Sequence, residues 1–172
     1  MKKLKISMIA GTLFVLILGT LAHFFYKWSN ESFLVGLFAP VSESTWEHMK
    51  LVFFPMLLYS LAVIPILKKS YPCIGSAFSA GILFGTLLIP VIFYTYTGIL
   101  GYHLLILDIL SFVLSVLCSF CIVYRFTLTC KLQNYAFLLC AMVCLWTISF
   151  LIFSYYPPDI GLFADPASAF QG

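Results

Sequence analysis

Long apolar stretches dominate the chain, and short clusters of charged residues, glycine and proline separate them. Each stretch has roughly the 20 residues that a helix needs to cross the hydrocarbon core of a bilayer. None shows the strict alternation of a barrel strand, and unpaired backbone amides are too costly in lipid, so these stretches are expected to be helices. The predicted transmembrane helices are residues 6–26, 49–67, 73–94, 103–124 and 133–153.

Composition places the whole chain in a membrane. Of its 172 residues, 63% are hydrophobic and 9% are charged, whereas soluble domains have about 45–50% and about 25%. We therefore expect one domain over residues 1–172, an all-α integral membrane protein that crosses the cell membrane five times and contacts the lipid bilayer. The chain has no basic run or cationic soluble segment, so nucleic acid is not an expected partner.

The distribution of lysine and arginine predicts the orientation of this five-helix bundle. With a cytoplasmic N-terminus, the outer segments carry only Lys27 and Lys50, and the other basic residues lie inside, as the positive-inside rule requires. The C-terminus is then external, with an external loop at residues 27–48 and an external tail at residues 154–172. The inner basic residues are Lys2, Lys3, Lys5, Lys68, Lys69, Arg125 and Lys131.

The first span also has features of a cleavable signal peptide. A basic start precedes the apolar run, and residues 20–22 weakly match a cleavage site. Because the apolar character continues through Tyr26, a retained anchor is the favoured interpretation. Cleavage remains the alternative, and it would leave four helices with both ends outside.

The positions of the cysteines predict no disulfide scaffold. Each one falls in a span or on the predicted cytoplasmic side, where thiols stay reduced. Cys118 and Cys121 have the spacing of a redox or metal motif, but small-residue packing in a helix is the favoured interpretation. The six cysteines are Cys73, Cys118, Cys121, Cys130, Cys140 and Cys144.

Residues 42–50 hold the densest group of chemically active side chains, with two carboxylates, an imidazole and an ammonium group. Ser44 and Glu47 fit a capping box, in which Ser44 accepts from the Glu47 amide and the Glu47 carboxylate accepts from the Ser44 amide. Glu43 suits the positive end of the helix dipole. Capping does not account for His48.

Further polar groups are expected on the same side of the membrane. Tyr94 and Tyr96 end the third span, and His103 opens the fourth. Asp108 lies inside the fourth span, about 7 Å below its start. A charge there costs about 2.5–3.5 kcal/mol to insert, so Asp108 is expected to have a partner or to face water.

A stripe of small polar residues continues along the fourth helix from Asp108 through Ser111, Ser115 and Ser119. Close helix packing and a solute path would both use such a face, and packing is the favoured interpretation. Two other segments are expected to cover the outer side of the bundle. They are the apolar part of the first loop, residues 33–40, and an extended tail from residue 155 onward.

Three motifs resemble an uncharacterised family of small bacterial multi-span membrane proteins. Residues 40–50 follow the family pattern P-V-N-E-S-x-W-E-H-x-K, with Ser42 in place of the usual Asn. Residues 101–109 and 156–166 support the resemblance, although Asp159 stands where the family usually has His. The resemblance covers most of the chain and implies a multi-span membrane protein, but the family supplies no established activity.

The leading hypothesis of function is an outward-opening pocket that binds a small solute or cation, as a component of transport or sensing. An accessory or scaffold role, in which the outer motif binds another membrane protein, is an alternative. The side chains expected to line the pocket are Glu43, Glu47, His48, Tyr94, Tyr96, His103 and Asp108.

A metal-dependent membrane-embedded enzyme is the other hypothesis. His48, His103 and Asp108 would hold the metal, and Glu47 would act as general base. This hypothesis is weaker because the chain lacks the H-E-x-x-H, G-x-S-x-G and phosphate-loop motifs. Adjacent residues such as Glu47 and His48 also point about 100° apart on a helix. The sequence does not identify a cofactor, so the cofactor is unknown.

Overall fold

The computed structural model describes residues 1–165, and every regular element in that part of the chain is helical. Five helices are long and apolar enough to cross a membrane, as the sequence predicts. Residues 166–172 of the predicted external tail lie outside the described residues. The helices are α1 (Lys2–Trp28), α2 (Phe33–Gly36), α3 (Thr45–Leu67), α4 (Ile74–Leu100), α5 (Leu105–Thr129) and α6 (Ala136–Phe153), with 3₁₀ turns at Gln133–Tyr135 and Gly161–Phe163.

Several helix boundaries differ from the predicted spans, and three of them have a clear structural description. Helix α3 begins at Thr45, four residues before the predicted span, because Ser44 caps it. Helix α4 continues past Pro90 and ends at Leu100, where Gly101 adopts a left-handed conformation with φ of 80°. Glycine is the usual residue at such a helix end. Helix α5 runs to Thr129, five residues beyond the predicted span.

Helices α4 and α5 pack most closely, through small residues. A Cβ atom added to Gly81 would lie 2.5 Å from Cγ2 of Val123, and one added to Gly85 would overlap the hydroxyl of Ser119. Ser119 is fully buried. The serine stripe therefore contributes to a helix-packing face, as the favoured interpretation predicts.

An aromatic cluster closes the end of the bundle at which α3 begins. The Trp46 ring lies 4.6 Å from Phe150 at the end of α6, 5.5 Å from Trp146 and 4.8 Å from Phe163 of the tail, between ring centroids. These contacts hold the tail across this end of the bundle. The tail thus packs on the bundle at this end, and it includes one 3₁₀ turn where extended chain was expected.

Helix α6 packs at the edge of the bundle and exposes most of its apolar side chains. Phe137 and Leu145, for example, are both exposed. In a membrane protein such a surface contacts lipid tails, so its exposure carries none of the cost that it would have in water.

Cys73 and Cys130 form a disulfide, with their Cα atoms 5.3 Å apart. Cys73 precedes α4 and Cys130 follows α5, and the antiparallel packing of these helices brings the two residues together. The expectation of no disulfide is therefore wrong for this pair. It holds for Cys118, Cys121, Cys140 and Cys144, which are free thiols.

Candidate functional site

The start of α3 is held by a hydrogen-bonded cap. The Ser44 hydroxyl accepts from the amide of Glu47 at 3.3 Å, which confirms the predicted N-cap. The predicted return bond from Glu47 to the Ser44 amide is wrong. Oε2 of Glu47 accepts from the amide of Val41 at 2.9 Å instead, and the Ser44 amide donates to the hydroxyl of Ser42.

A buried ion pair accounts for this change. Nζ of Lys50 donates to Oε2 of Glu47 at 2.6 Å, to the carbonyl of Gly36 at 3.0 Å and to the hydroxyl of Ser154 at 2.5 Å. The Lys50 and Glu47 side chains are 0% and 3% exposed. One ammonium group thus ties α2 and the end of α6 to α3, and it draws the Glu47 carboxylate into the bundle.

His48 is not part of this buried network. It follows Glu47 in α3, so its side chain points about 100° further around the helix. Nδ1 of His48 donates to the backbone carbonyl of Ser44 at 2.9 Å. A carbonyl oxygen only accepts, so Nδ1 carries the hydrogen and, in a neutral ring, Nε2 offers a lone pair. This Nε2 atom lies 3.5 Å from Oε2 of Glu43.

Helix α1 brings a second imidazole to the same carboxylate. Nε2 of His23 lies 3.9 Å from Oε1 of Glu43, and the His23 and His48 rings are 5.4 Å apart between centroids. One possible ligand atom from each of the three side chains lies within 4.8 Å of the other two. We call His23, Glu43 and His48 the histidine–glutamate cluster.

A second polar group faces this cluster from the start of α5. Tyr96, near the end of α4, donates its hydroxyl hydrogen to Oδ1 of Asp108, and Nδ1 of His103 lies 3.5 Å from Oδ2 of Asp108. The Asp108 side chain is 27% exposed. The expectation that Asp108 has polar partners is therefore confirmed.

A cavity of about 270 Å³ separates the cluster from the Asp108 group. Its lining includes every histidine in the chain and three carboxylates. Among the described residues that line it, none is lysine or arginine. The ionisable residues of this cavity, which we call the polar pocket, are His23, Glu43, His48, His103, Asp108 and Asp165.

Another cavity, of about 520 Å³, lies between α1, α2 and α3, but apolar side chains such as Leu18, Phe38 and Leu61 line it throughout. It offers no ionisable group for recognition or catalysis. The polar pocket is therefore the better candidate site.

The structure brings together four of the seven side chains expected at the site. Glu43, His48, His103 and Asp108 line the polar pocket, and Tyr96 reaches it through Asp108. Glu47 and Tyr94 lie elsewhere. Glu47 is in the buried ion pair, and the Tyr94 hydroxyl donates to the carbonyl of Gly161 at 3.1 Å.

The metal-ligand set also differs from the predicted grouping. His48 comes together with His23 and Glu43, whereas His103 and Asp108 form the opposite wall. Sequence reasoning missed His23 because it lies inside an apolar span and no motif marks it. One feature of the sequence could have identified it. His23 interrupts an apolar run close to the end of the first span, on the side of the membrane where Glu43 and His48 were expected.

The tail supplies one carboxylate to the polar pocket, and it comes from Asp165. Asp159, which stands where the family usually has His, is exposed and does not line the polar pocket, whereas Asp165 does.

Of the comparisons with known proteins, the one with family models gives a match for this chain. No curated protein and no solved structure matches it. A family model described as a family of unknown function, DUF6512, matches residues 1–172, the whole chain. The protein with this polar pocket therefore belongs to the DUF6512 family of unknown function.

Proposed function

We propose that this protein is a multi-pass membrane protein that binds a small cation in the polar pocket, which opens to the outer side, and that it acts as a component of transport or sensing. One observation carries the proposal. The chain has three histidines, far apart in sequence, and all three line the same cavity together with half of its six acidic residues.

The charge of the polar pocket favours a cation over an anion. Glu43, Asp108 and Asp165 line it, and the described lining holds no lysine or arginine. Apolar side chains such as Leu51 and Phe112 form the rest of its wall. Low-dielectric walls strengthen the field of the carboxylates, which raises the local concentration of cations.

The packing below the polar pocket supports reversible binding from one side. Ser111 lines the pocket, and Ser115 and Ser119, further along α5, are fully buried against α4. A cation would need α4 and α5 to separate before it could continue along this face. Sensing needs only the binding step, whereas transport would require that movement.

Thermal unfolding in mild detergent tests the proposal. The purified protein would be heated with Na⁺, K⁺, Mg²⁺, Ca²⁺, Mn²⁺ and Zn²⁺ in turn, because a ligand that binds only the folded state raises the melting temperature. We expect at least one cation to raise it. The shift should shrink in Glu43→Gln and Asp108→Asn and persist in Asp159→Asn, which removes an exposed acid outside the pocket.

Two outcomes would overturn the proposal. One is a melting temperature that no cation changes. The other is a shift of the same size in the wild type and in both pocket variants. The Glu43 side chain is 54% exposed, so Glu43→Gln is expected to fold even if Asp108→Asn does not.

A further inference from the structure

We propose that the histidine–glutamate cluster binds one divalent transition-metal ion of the Zn²⁺ type. This inference rests on the proposed function and names the cation. His23, Glu43 and His48 would be its protein ligands, and at least one coordination position would stay open towards the polar pocket.

The spacing of the three side chains suits an ion better than direct hydrogen bonds. The two imidazole nitrogens lie 3.5 and 3.9 Å from the Glu43 oxygens, beyond the roughly 2.7–3.2 Å of a hydrogen bond. Zinc binds such atoms at about 2.0–2.1 Å, which places tetrahedral ligands about 3.4 Å apart. All separations in the cluster are within 4.8 Å, so the side chains would surround a metal after closing by about 1.4 Å at most.

The hydrogen bond of His48 prepares the ring for metal binding. Its Nδ1 donates to the carbonyl of Ser44, so the neutral ring directs the lone pair of Nε2 at Glu43. Metal-bound histidines usually make such a bond with the other ring nitrogen, which fixes the tautomer and the ring orientation. The N-terminus of α3 thus holds one ligand in place before any metal arrives.

The mixture of ligand atoms indicates the class of metal. Imidazole nitrogen suits Zn²⁺, Cu²⁺, Co²⁺ and Ni²⁺, whereas Mg²⁺ and Ca²⁺ prefer oxygen ligands throughout. Two imidazoles and one carboxylate therefore favour a transition metal.

The number of ligands suits a site that exchanges its metal. Structural zinc sites usually have four protein ligands, whereas sites with three keep a position for water or another group. The side chains of His23 and His48 are 32% and 30% exposed, so solvent reaches the cluster. An ion here would also face the Asp108 wall across the polar pocket.

Metal titration of the full-length protein in detergent tests this inference. The protein would first be stripped with a chelator, then titrated with Co²⁺ while the visible absorption of the ion is recorded, and finally with Zn²⁺ as competitor. We expect one equivalent of Co²⁺ to bind and Zn²⁺ to displace it. Mg²⁺ and Ca²⁺ should not compete.

Single substitutions locate the ion. His23→Gln and His48→Gln each remove one ligand, so we expect each to weaken binding by more than the roughly 10–100-fold that loss of an outer-shell partner costs. Asp159→Asn is the control, because it removes an exposed ionisable side chain outside the polar pocket. This variant should still bind one equivalent of Co²⁺. Melting temperatures of the metal-free variants check that each protein is folded.

Two results would overturn the inference. One is wild-type affinity in both His23→Gln and His48→Gln, which would place the ion elsewhere, for example on a free cysteine. The other is no binding of Co²⁺ or Zn²⁺ at all. If another cation then still raises the melting temperature through Glu43 and Asp108, the cation pocket stands without the metal site. If no cation does so, both proposals fail.

Discussion

Nζ of Lys50 lies 2.6 Å from Oε2 of Glu47, and both side chains are buried. Within the same turn of α3, His48 points into the polar pocket instead. The W-E-H-x-K motif therefore serves two purposes, because successive residues on a helix face different directions. Glu47 and Lys50 join the elements of the bundle, and His48 with Glu43 supplies the candidate ligands.

Replacement of Lys50 by Met should strongly destabilise the protein. It leaves the Glu47 carboxylate buried without its cation, and breaking a buried ion pair costs about 3–5 kcal/mol. The melting temperature in detergent should fall well below that of Lys27→Met, which removes an exposed lysine. A double variant with Glu47→Gln and Lys50→Met should recover much of the loss, because Gln keeps an oxygen for the Val41 amide. Equal melting temperatures for Lys50→Met and Lys27→Met would contradict this account.

Removal of the Tyr96 hydroxyl should destabilise the start of α5. The Tyr96→Phe variant loses a hydrogen bond to the charged Asp108, and such bonds contribute about 1.5–3 kcal/mol when buried, so about 1–2 kcal/mol is expected at this part-exposed site. Tyr94→Phe is the matched control, since its hydroxyl donates to the neutral carbonyl of Gly161 at an exposed position. Melting curves should show the larger decrease for Tyr96→Phe. A larger decrease for Tyr94→Phe would count against the assigned role of Asp108.

An added methyl group at Gly85 should disrupt the packing of α4 on α5. The Cβ atom of Gly85→Ala would overlap the hydroxyl of Ser119, and overpacking of this kind costs about 1–3 kcal/mol. Gly98→Ala in the same helix meets no atom within 4 Å, so it should be neutral or stabilise by up to about 1 kcal/mol through higher helix propensity. Ser119→Ala in the Gly85→Ala background should restore part of the stability. Similar melting temperatures for the two alanine variants would show that this interface is looser than described.

The Cys73–Cys130 disulfide provides a test of orientation. It lies next to Lys69 and Lys131, at the end of the bundle that the positive-inside rule places in the cytoplasm. Cytoplasmic thiols are kept reduced, so the proposed orientation and the disulfide of the structure are compatible only if the pair is held as thiols in growing cells and forms the bond on oxidation after extraction, which is the result we expect. Alkylation of intact cells with a membrane-permeant reagent, followed by mass spectrometry, measures this. A bond already present before extraction would place the basic end outside and reverse the proposed orientation.

The sequence by itself determined the five helices that are long and apolar enough to cross a membrane, and the neighbourhood of the candidate site. Long apolar runs cannot leave backbone amides unpaired in lipid, so they form helices whatever their neighbours are. The cap at Ser44 was also predictable, because it depends on residues only three positions apart. The same local reasoning singled out Glu43, His48, His103 and Asp108, but it also included Glu47, Tyr94 and Tyr96, which do not line the polar pocket.

Only the tertiary structure decided how these groups are shared between the buried core and the polar pocket. Glu47 belongs to an ion pair because Gly36 and Ser154, distant in sequence, complete the environment of Lys50. His23 reaches Glu43 because α1 packs against the start of α3. Such contacts depend on which helix faces meet, and helices that are apolar on every side carry little sequence information about that choice. The packing of the bundle therefore assembled a cluster that no local motif encodes.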